Sequence, residues 1–268
     1  MASRDDLPDE VFAHYGLGAE RARLSSGPGR VERARTEEVL ARWLPPPPAR
    51  ILDVGGGPGT YVAWLAAQGH EVHLVDPVPL HVEQAREAGA RTARVGDARS
   101  LDERDLAFDA VLVLGPLYHI TDRPGRVRAL AEARRVARDG GVVAAAAISR
   151  FASLFDGLFT GALDDPAFRS IVEGDLASGQ HRNPTGRPEW FTTAFFHRPD
   201  ELLAEVADAG LRLVELAGLE GPAWLLGDVD ERWADPERRE RLLSAARAVE
   251  SEPALLGLSA HLLAVARR

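Results

Sequence analysis

Residues 51–60 read ILDVGGGPGT, an apolar run that meets four glycines and a proline. Ile51–Val54 is expected to be a strand, and Thr60–Gln68 (TYVAWLAAQ) a helix ended by Gly69. A strand, a glycine turn and a helix N-terminus together make a ligand cradle. Bare backbone N–H groups point outward there, and the missing Cβ atoms let a ligand approach. The dinucleotide fingerprint G-x-G-x-x-G fits at Gly55 and Gly57 but fails at its third glycine, where Thr60 stands.

Outward from this turn the chain alternates. Glu71–Val75, Arg91–Val95, Asp109–Leu114 and Val142–Ile148 read as strands. Pro79–Ala88 and Arg126–Arg138 read as helices, each stopped by glycine (Gly89; Gly140 and Gly141). Buried runs alternating with helices predict an α/β fold, a mostly parallel sheet with helices on both faces. Upstream, residues 9–44 read as helical, with Thr36–Leu44 (TEEVLARWL) opening on acidic residues as a helix start does, and Pro45–Pro48 forming a stiff spacer. Downstream the alternation breaks. Residues 150–197 are rich in aromatics, Gly and Pro; Pro199–Ala209 reads as a helix and Leu211–Leu219 as a strand; residues 222–256 read as helical and irregular; Leu258–Val265 closes the chain as an apolar run. The expected organisation is an N-terminal helical region at 1–48, a core at 49–149, an inserted cap at 150–197, and the rest of the core at 198–268 with a helical insert at 222–256.

Composition narrows the function. The formal net charge of −9 over 268 residues argues against a sequence-independent grip on nucleic acid. There is no cysteine, which removes disulfides, thiol nucleophiles and thiolate metal sites. There is no lysine either, all 32 basic residues being arginine, so lysine Schiff-base chemistry is excluded. MASRDDLPDE lacks the apolar run of a signal peptide, and Val142–Ile148, the longest apolar stretch, is too short to span a bilayer. The expectation is a soluble, cytoplasmic monomer or homodimer without membrane or nucleic-acid partners.

Further residues extend the cradle. Asp53 lies on the strand before the loop, and Asp76 ends the second strand (VHLVDP), where a carboxylate can accept both hydroxyls of a ribose. GDA (96–98) ends the third strand, and FDAVLVLGPLYHI (108–120) opens the fourth into a polar, aromatic loop. With LDVGGGPG (52–59), VDP (75–77) and ARRVARDGGVV (133–143), this ordered set resembles the class I S-adenosylmethionine (SAM)-dependent methyltransferases, closest to the small-molecule enzymes of bacterial specialised metabolism. The resemblance implies a Rossmann-like seven-stranded sheet whose last strand is antiparallel, with SAM across the carboxyl ends of the first strands. It implies that Gly55, Gly57 and Gly59 cradle the methionine part, with Asp53 setting the loop. Asp76, followed by Pro77, would hold the ribose, and Asp97 with the Ala98 backbone the adenine. Leu114 would offer its carbonyl to the SAM amino group, and Tyr15 and Arg30 would close over the carboxylate.

Methyl transfer to a hydroxyl or amine is helped by a base. His119 is the first candidate, beside Tyr118 in the loop after the fourth strand; His181 (SGQHRNPTG) and His197 (AFFHRP) come second. His70 and His73 fall on opposite faces of a strand and make a poor metal pair; His14, His81 and His261 read as surface or packing residues. No metal is expected, apart from Mg²⁺ brought by a diphosphate substrate. For such a substrate Arg150, Arg182 and Arg187 are scattered rather than clamped. The insert's aromatics, among them Phe168, Trp190, Phe191 and Phe196, either line a substrate lid or form the insert's own core. The expected activity is methylation of an O, N or C atom of a small organic molecule. A non-catalytic SAM-binding module and a nicotinamide-dependent oxidoreductase are the alternatives.

Overall fold

The computed structural model describes residues 9–16, 18 and 20–268. In chain order the elements are α1 (Asp9–Gly16), α2 (Glu20–Arg23), α3 (Gly27–Trp43), β1 (Arg50–Val54), α4 (Thr60–Ala67), β2 (Glu71–Asp76), α5 (Pro79–Glu87), β3 (Thr92–Val95), β4 (Phe108–Val113), α6 (Pro116–His119), α7 (Arg123–Val136) and β5 (Ala137–Ile148). They continue with α8 (Ala152–Thr160), α9 (Pro166–Ser178), β6 (Gln180–His181), β7 (Ala194–Phe195), α10 (Pro199–Asp208), β8 (Arg212–Gly218), α11 (Val229–Ala234), α12 (Pro236–Val249) and β9 (His261–Arg267).

The main sheet has seven strands in the order β3-β2-β1-β4-β5-β9-β8. Neighbours from β3 to β5 pair in parallel; β9 is antiparallel to both β5 and β8. Side chains alternate across it as strand geometry requires. Leu52, Val54, Val111 and Val113 face Leu130 of α7 and Leu202 and Val206 of α10. Ile51, Leu74, Ala110 and Leu112 face Val39 and Leu40 of α3, Val62 and Leu65 of α4, and Val82 of α5.

Caps fix several helix starts. The Asp122 carboxylate accepts from the Gly125 N–H at 2.7 Å, and Asp235 accepts from Glu237 and Arg238. One expected start is displaced: Thr36 lies inside α3, which begins at Gly27–Pro28. Its hydroxyl donates back to the Glu32 carbonyl at 2.8 Å, so no cap is needed there. Gly29 explains why this helix begins on glycines: a Cβ there would lie 2.1 Å from the Arg23 carbonyl oxygen, so α3 meets the end of α2 only without a side chain.

Strand order reverses between β1 and β4, the switch point at which open α/β sheets bind ligands. There the glycine loop after β1 and the turn after β4 are in contact. A Cβ on Gly55 would lie 2.6 Å from the Pro116 ring, and one on Gly115 would lie 2.8 Å from the Gly55 carbonyl oxygen.

Candidate active site

A cavity opens at this switch point, bordered by Gly55, Gly56, Gly57, Pro58, Asp76, Pro77, Asp97, Ala98, Leu114, Tyr118 and His119, and covered by Tyr15 of α1. Gly55 and Gly57 have φ of +67° and +56°, which glycine adopts without strain. A Cβ on Gly57 would meet only the Glu20 side chain at 3.9 Å and His81 at 4.0 Å, so the bare backbone there faces open cavity. Gly59, also left-handed at +86°, does something else. Its Cβ would lie 3.0 Å from Ala85 Cα, so it packs α4 against α5 and stays off the cavity wall, which Gly56 forms instead. It thereby supplies the close packing that the fingerprint assigns to its third glycine, one residue before Thr60.

Asp76 is buried and holds the loop open. Oδ2 accepts from the Gly57 N–H at 2.9 Å; Oδ1 accepts from the Val78 N–H at 2.8 Å and lies 3.1 Å from His81 Nδ1. Two carboxylate oxygens accept more bonds than this, so capacity remains for a ligand hydroxyl. Asp53 sits beneath the loop with no exposure, and neither carboxylate oxygen has a hydrogen-bond partner among the described residues. Burial, with the nearby Asp76 charge, pushes its pKa up to about 7. A Cβ on Gly56 would be 2.2 Å from Asp53 Oδ2, so that glycine is required by the buried acid. Asp97 lines the cavity with both oxygens engaged by Arg99, the shortest contact 2.6 Å. The Leu114 carbonyl accepts from the Tyr118 hydroxyl at 2.8 Å.

Arg30 is not at the cavity. It is half exposed and pairs with Asp230 at 2.8 Å. Arg23, seven residues earlier, borders the cavity and is held by Glu20 and Glu32. His119 does line the cavity, yet both its nitrogens are committed: Nε2 accepts from the Tyr15 hydroxyl at 2.6 Å, and Nδ1 donates to the Thr193 carbonyl at 3.3 Å. Burial lowers its pKa to about 4. This arrangement suits fixing α1 over the site better than taking protons.

A second cavity of about 250 Å³ adjoins the first. Phe168, Trp190, Phe191 and Phe196 of the insert line it, with Trp224 from the segment after β8. Trp233 lies elsewhere, against a cluster that joins α3 to α12. Tyr15, Glu20, Arg23, Tyr118 and His261 border both cavities. The two secondary histidines are structural. His181 is clamped by Asp175 at 3.0 Å and the Trp190 carbonyl at 2.9 Å, though its ring reaches the second cavity. His197 is wholly buried, borders neither cavity, and joins Glu205 (3.1 Å), which Arg126 grips at 2.7 Å. The three scattered arginines are also engaged, Arg150 with Glu201, Arg182 with Gln180 and Arg187 with Asp165.

His261, read from the sequence as a surface or packing residue, borders both cavities. Its Nδ1 is 2.6 Å from Glu220 and 3.7 Å from Glu32. The potential ligand atoms of these three residues lie within 4.8 Å of one another. Arg23, Ser259 and a backbone N–H already engage the two carboxylates, so both are held by hydrogen bonds.

A doubly wound sheet with one antiparallel strand, a glycine loop at its switch point and acids on successive strand ends defines a Rossmann-like fold that binds a nucleoside cofactor. Residues 51–141 match the methyltransferase domain family. The chain is 35% identical over 175 residues to a malonyl-[acyl-carrier protein] O-methyltransferase of Geobacter sulfurreducens (63% of this chain, 58% of that one). It is 30% identical over 196 residues to a ubiquinone biosynthesis O-methyltransferase of Xanthomonas axonopodis pv. citri (71% of this chain, 73% of that one). Its fold matches a SAM-dependent methyltransferase, possibly a histamine N-methyltransferase, from Thermotoga maritima, with a TM-score of 0.57 at 20% identity over 96% and 98% of the two chains. The chain belongs to the SAM-dependent methyltransferases. Among the described residues no helix is long and apolar enough to cross a membrane.

Proposed function

We propose that the protein transfers the methyl group of SAM to a small organic acceptor seated in the aromatic cavity. The observation that carries this reading is the joining of two unlike cavities through one shared wall, Tyr15, Glu20, Arg23, Tyr118 and His261. The donor set on the first side fits the cofactor. Asp76 retains accepting capacity for ribose hydroxyls, Gly56 and Gly57 present bare backbone, and Asp97 and Ala98 line the same cavity just after β3, which supports a role beside the nucleoside base. Arg23 borders the same cavity and is the cation assigned to the SAM carboxylate. Bound there, SAM supplies a methyl group on a positively charged sulfur, an already excellent leaving group.

The protein's part is therefore positioning and exclusion of water. The α1 helix closes the site through the Tyr15–His119 bond and through the contact of Glu10 with the Thr193 hydroxyl. The insert walls the acceptor side with aromatic faces, and a space of about 250 Å³ suits a small molecule rather than a macromolecule. The two relatives described above are named O-methyltransferases, which favours oxygen as the accepting atom. Calorimetric titration with SAM, S-adenosylhomocysteine and NADH tests the reading. Binding of the first two without the third is expected; binding of NADH alone overturns it.

A further inference from the structure

His261 opens β9, opposite Ile148 at the end of β5. Because β9 runs backwards, its beginning lies at the sheet edge where the parallel strands end, which is where such sheets hold ligands. Its imidazole borders both cavities. Nδ1 faces Glu220 Oε1 at 2.6 Å, and Glu220 is itself fixed, 1% exposed. The other Glu220 oxygen accepts from the Ser259 hydroxyl at 2.9 Å and the His261 N–H at 3.0 Å. Ser259 Oγ accepts in turn from the N–H groups of Glu220 and Gly221 at 2.8 and 3.0 Å. An ionised carboxylate only accepts, so in the neutral ring Nδ1 carries the proton and Nε2 the lone pair. Among the described residues nothing is bonded to Nε2, unlike the ring nitrogens of His119 and His181 that face the same cavities.

We propose that His261, oriented by Glu220, is the general base of the methyl transfer and takes the proton of a hydroxyl on a neutral or cationic aromatic acceptor. The proposal rests on the methyltransferase reading and assigns its chemistry. As the acceptor oxygen bonds the methyl carbon, the C–S electron pair stays on sulfur as a neutral thioether, and the hydroxyl proton passes to Nε2. Solvent takes that proton after release. Nucleophile, base and an orienting acid form the usual logic of an activated hydroxyl. The acceptor class follows from the second cavity's charges. Glu20, Asp156 and Glu189 border it, and the cation there, Arg23, is held by Glu20 and Glu32. An anionic acceptor is repelled, whereas aromatic faces and carboxylates suit a flat neutral or cationic one.

The charged groups facing the ring are Glu220 beyond β8, Glu32 of α3 and Arg23 of α2. Burial lowers the ring's pKa and Arg23 adds to that, but Glu32 and Glu220 more than offset them, leaving it above the ordinary histidine value. A base of that strength works near neutral pH.

The test compares wild type, His261→Asn and Glu220→Gln. S-adenosylhomocysteine affinity is measured first by calorimetry, and wild type failing to bind would sink the methyltransferase reading, separately from this proposal. Methyl transfer from labelled SAM to catechol is then followed across pH. His261→Asn is expected to lower turnover by about 10²–10⁴-fold with S-adenosylhomocysteine affinity kept, the loss shrinking as catechol itself ionises. Glu220→Gln is expected to shift the acid limb of the wild-type profile to lower pH. Independently of any acceptor, ¹⁵N NMR of histidine-labelled protein with S-adenosylhomocysteine, recorded at a pH above the ring's own titration so that it is neutral, is expected to show His261 protonated on Nδ1 and not on Nε2. An Nε2–H tautomer, or undiminished catechol turnover in His261→Asn, overturns the proposal.

Discussion

The two cavities meet at one wall but are built on opposite principles. On its sheet side the cofactor cavity is assembled from short stretches at strand ends: 55–58, 75–78, 96–99, 114–116 and 118–120. Its contacts are largely backbone and carboxylate, and parallel strands in register bring these stretches to one edge. The acceptor side gathers single side chains from 148–156, Phe168, 181–196, Trp224 and 260–261. A fixed ligand is met by a local pattern repeated strand after strand; a variable one is met by whatever tertiary packing brings together.

The sharpest way to break this contrast is Asp76→Ala. It removes the acceptor for Gly57, Val78 and His81 together with the one offered to the cofactor. Hydrogen bonds to a charge contribute about 1.5–3 kcal/mol each. A loss of about 4 kcal/mol, roughly a thousandfold in S-adenosylhomocysteine affinity by calorimetry, is expected. A loss below tenfold would mean that the strand-end acids are turn residues only.

Next in size is a change confined to the acceptor side. Ser153 of α8 is buried against the second cavity and does not border the first. Ser153→Phe puts a ring into that space. S-adenosylhomocysteine affinity should stay within about twofold, while catechol methylation falls about a hundredfold through misplacement of the acceptor. Equal losses in both would show the cavities to be one site energetically.

The cofactor side also carries two buried groups with opposite pH signatures. Asp53, pushed up to about 7, is protonated in the folded chain where the unfolded one is ionised. Its contribution to stability is full below about pH 4 and is lost as pH rises through about 7. His119, lowered to about 4, stays neutral where the unfolded chain is charged. Its contribution is full above about pH 6.5 and is lost as pH falls through about 4. At about 1.4 kcal/mol per unit of pKa, Asp53 amounts to roughly 4 kcal/mol and His119 to roughly 3 kcal/mol, so in the wild type their slopes largely cancel between about pH 4 and about pH 7. Urea midpoints of Asp53→Asn should then fall as pH is lowered across that window, and those of His119→Gln should fall as it is raised. Parallel profiles would remove both assignments.

How far the sequence showed all this depends on how local each signal is. The parallel strands, the glycine loop and Asp76 were legible because period, punctuation and strand ends are written within a few residues of each other; the antiparallel last strand came only through the family resemblance. Gly59 was misplaced because its partner, Ala85, belongs to the next helix. His197 was invisible as a core residue because Arg126 and Glu205 reach it from α7 and α10. His261 was missed for a topological reason: in a parallel strand a first residue lies far from the site, and only the reversal of β9 brings it in.

Arg30 and Arg23 give the smallest expected effect and the finest discrimination. Both lie in arginine-rich helical sequence, and spacing alone does not separate them. The close contact permitted by Gly29 sets α2 against the start of α3, with Arg23 at the cavity. One turn into α3, Arg30 pairs instead with Asp230 of α11. That half-exposed ion pair contributes about 0–1 kcal/mol. Arg30→Ala should therefore move the urea midpoint little and leave S-adenosylhomocysteine affinity within about twofold. Arg23→Ala should weaken that affinity by at least about tenfold, the loss of a charge-assisted carboxylate contact. A reversed order would return the carboxylate to Arg30, and would require α3 to turn its first residues toward the cavity when the cofactor binds.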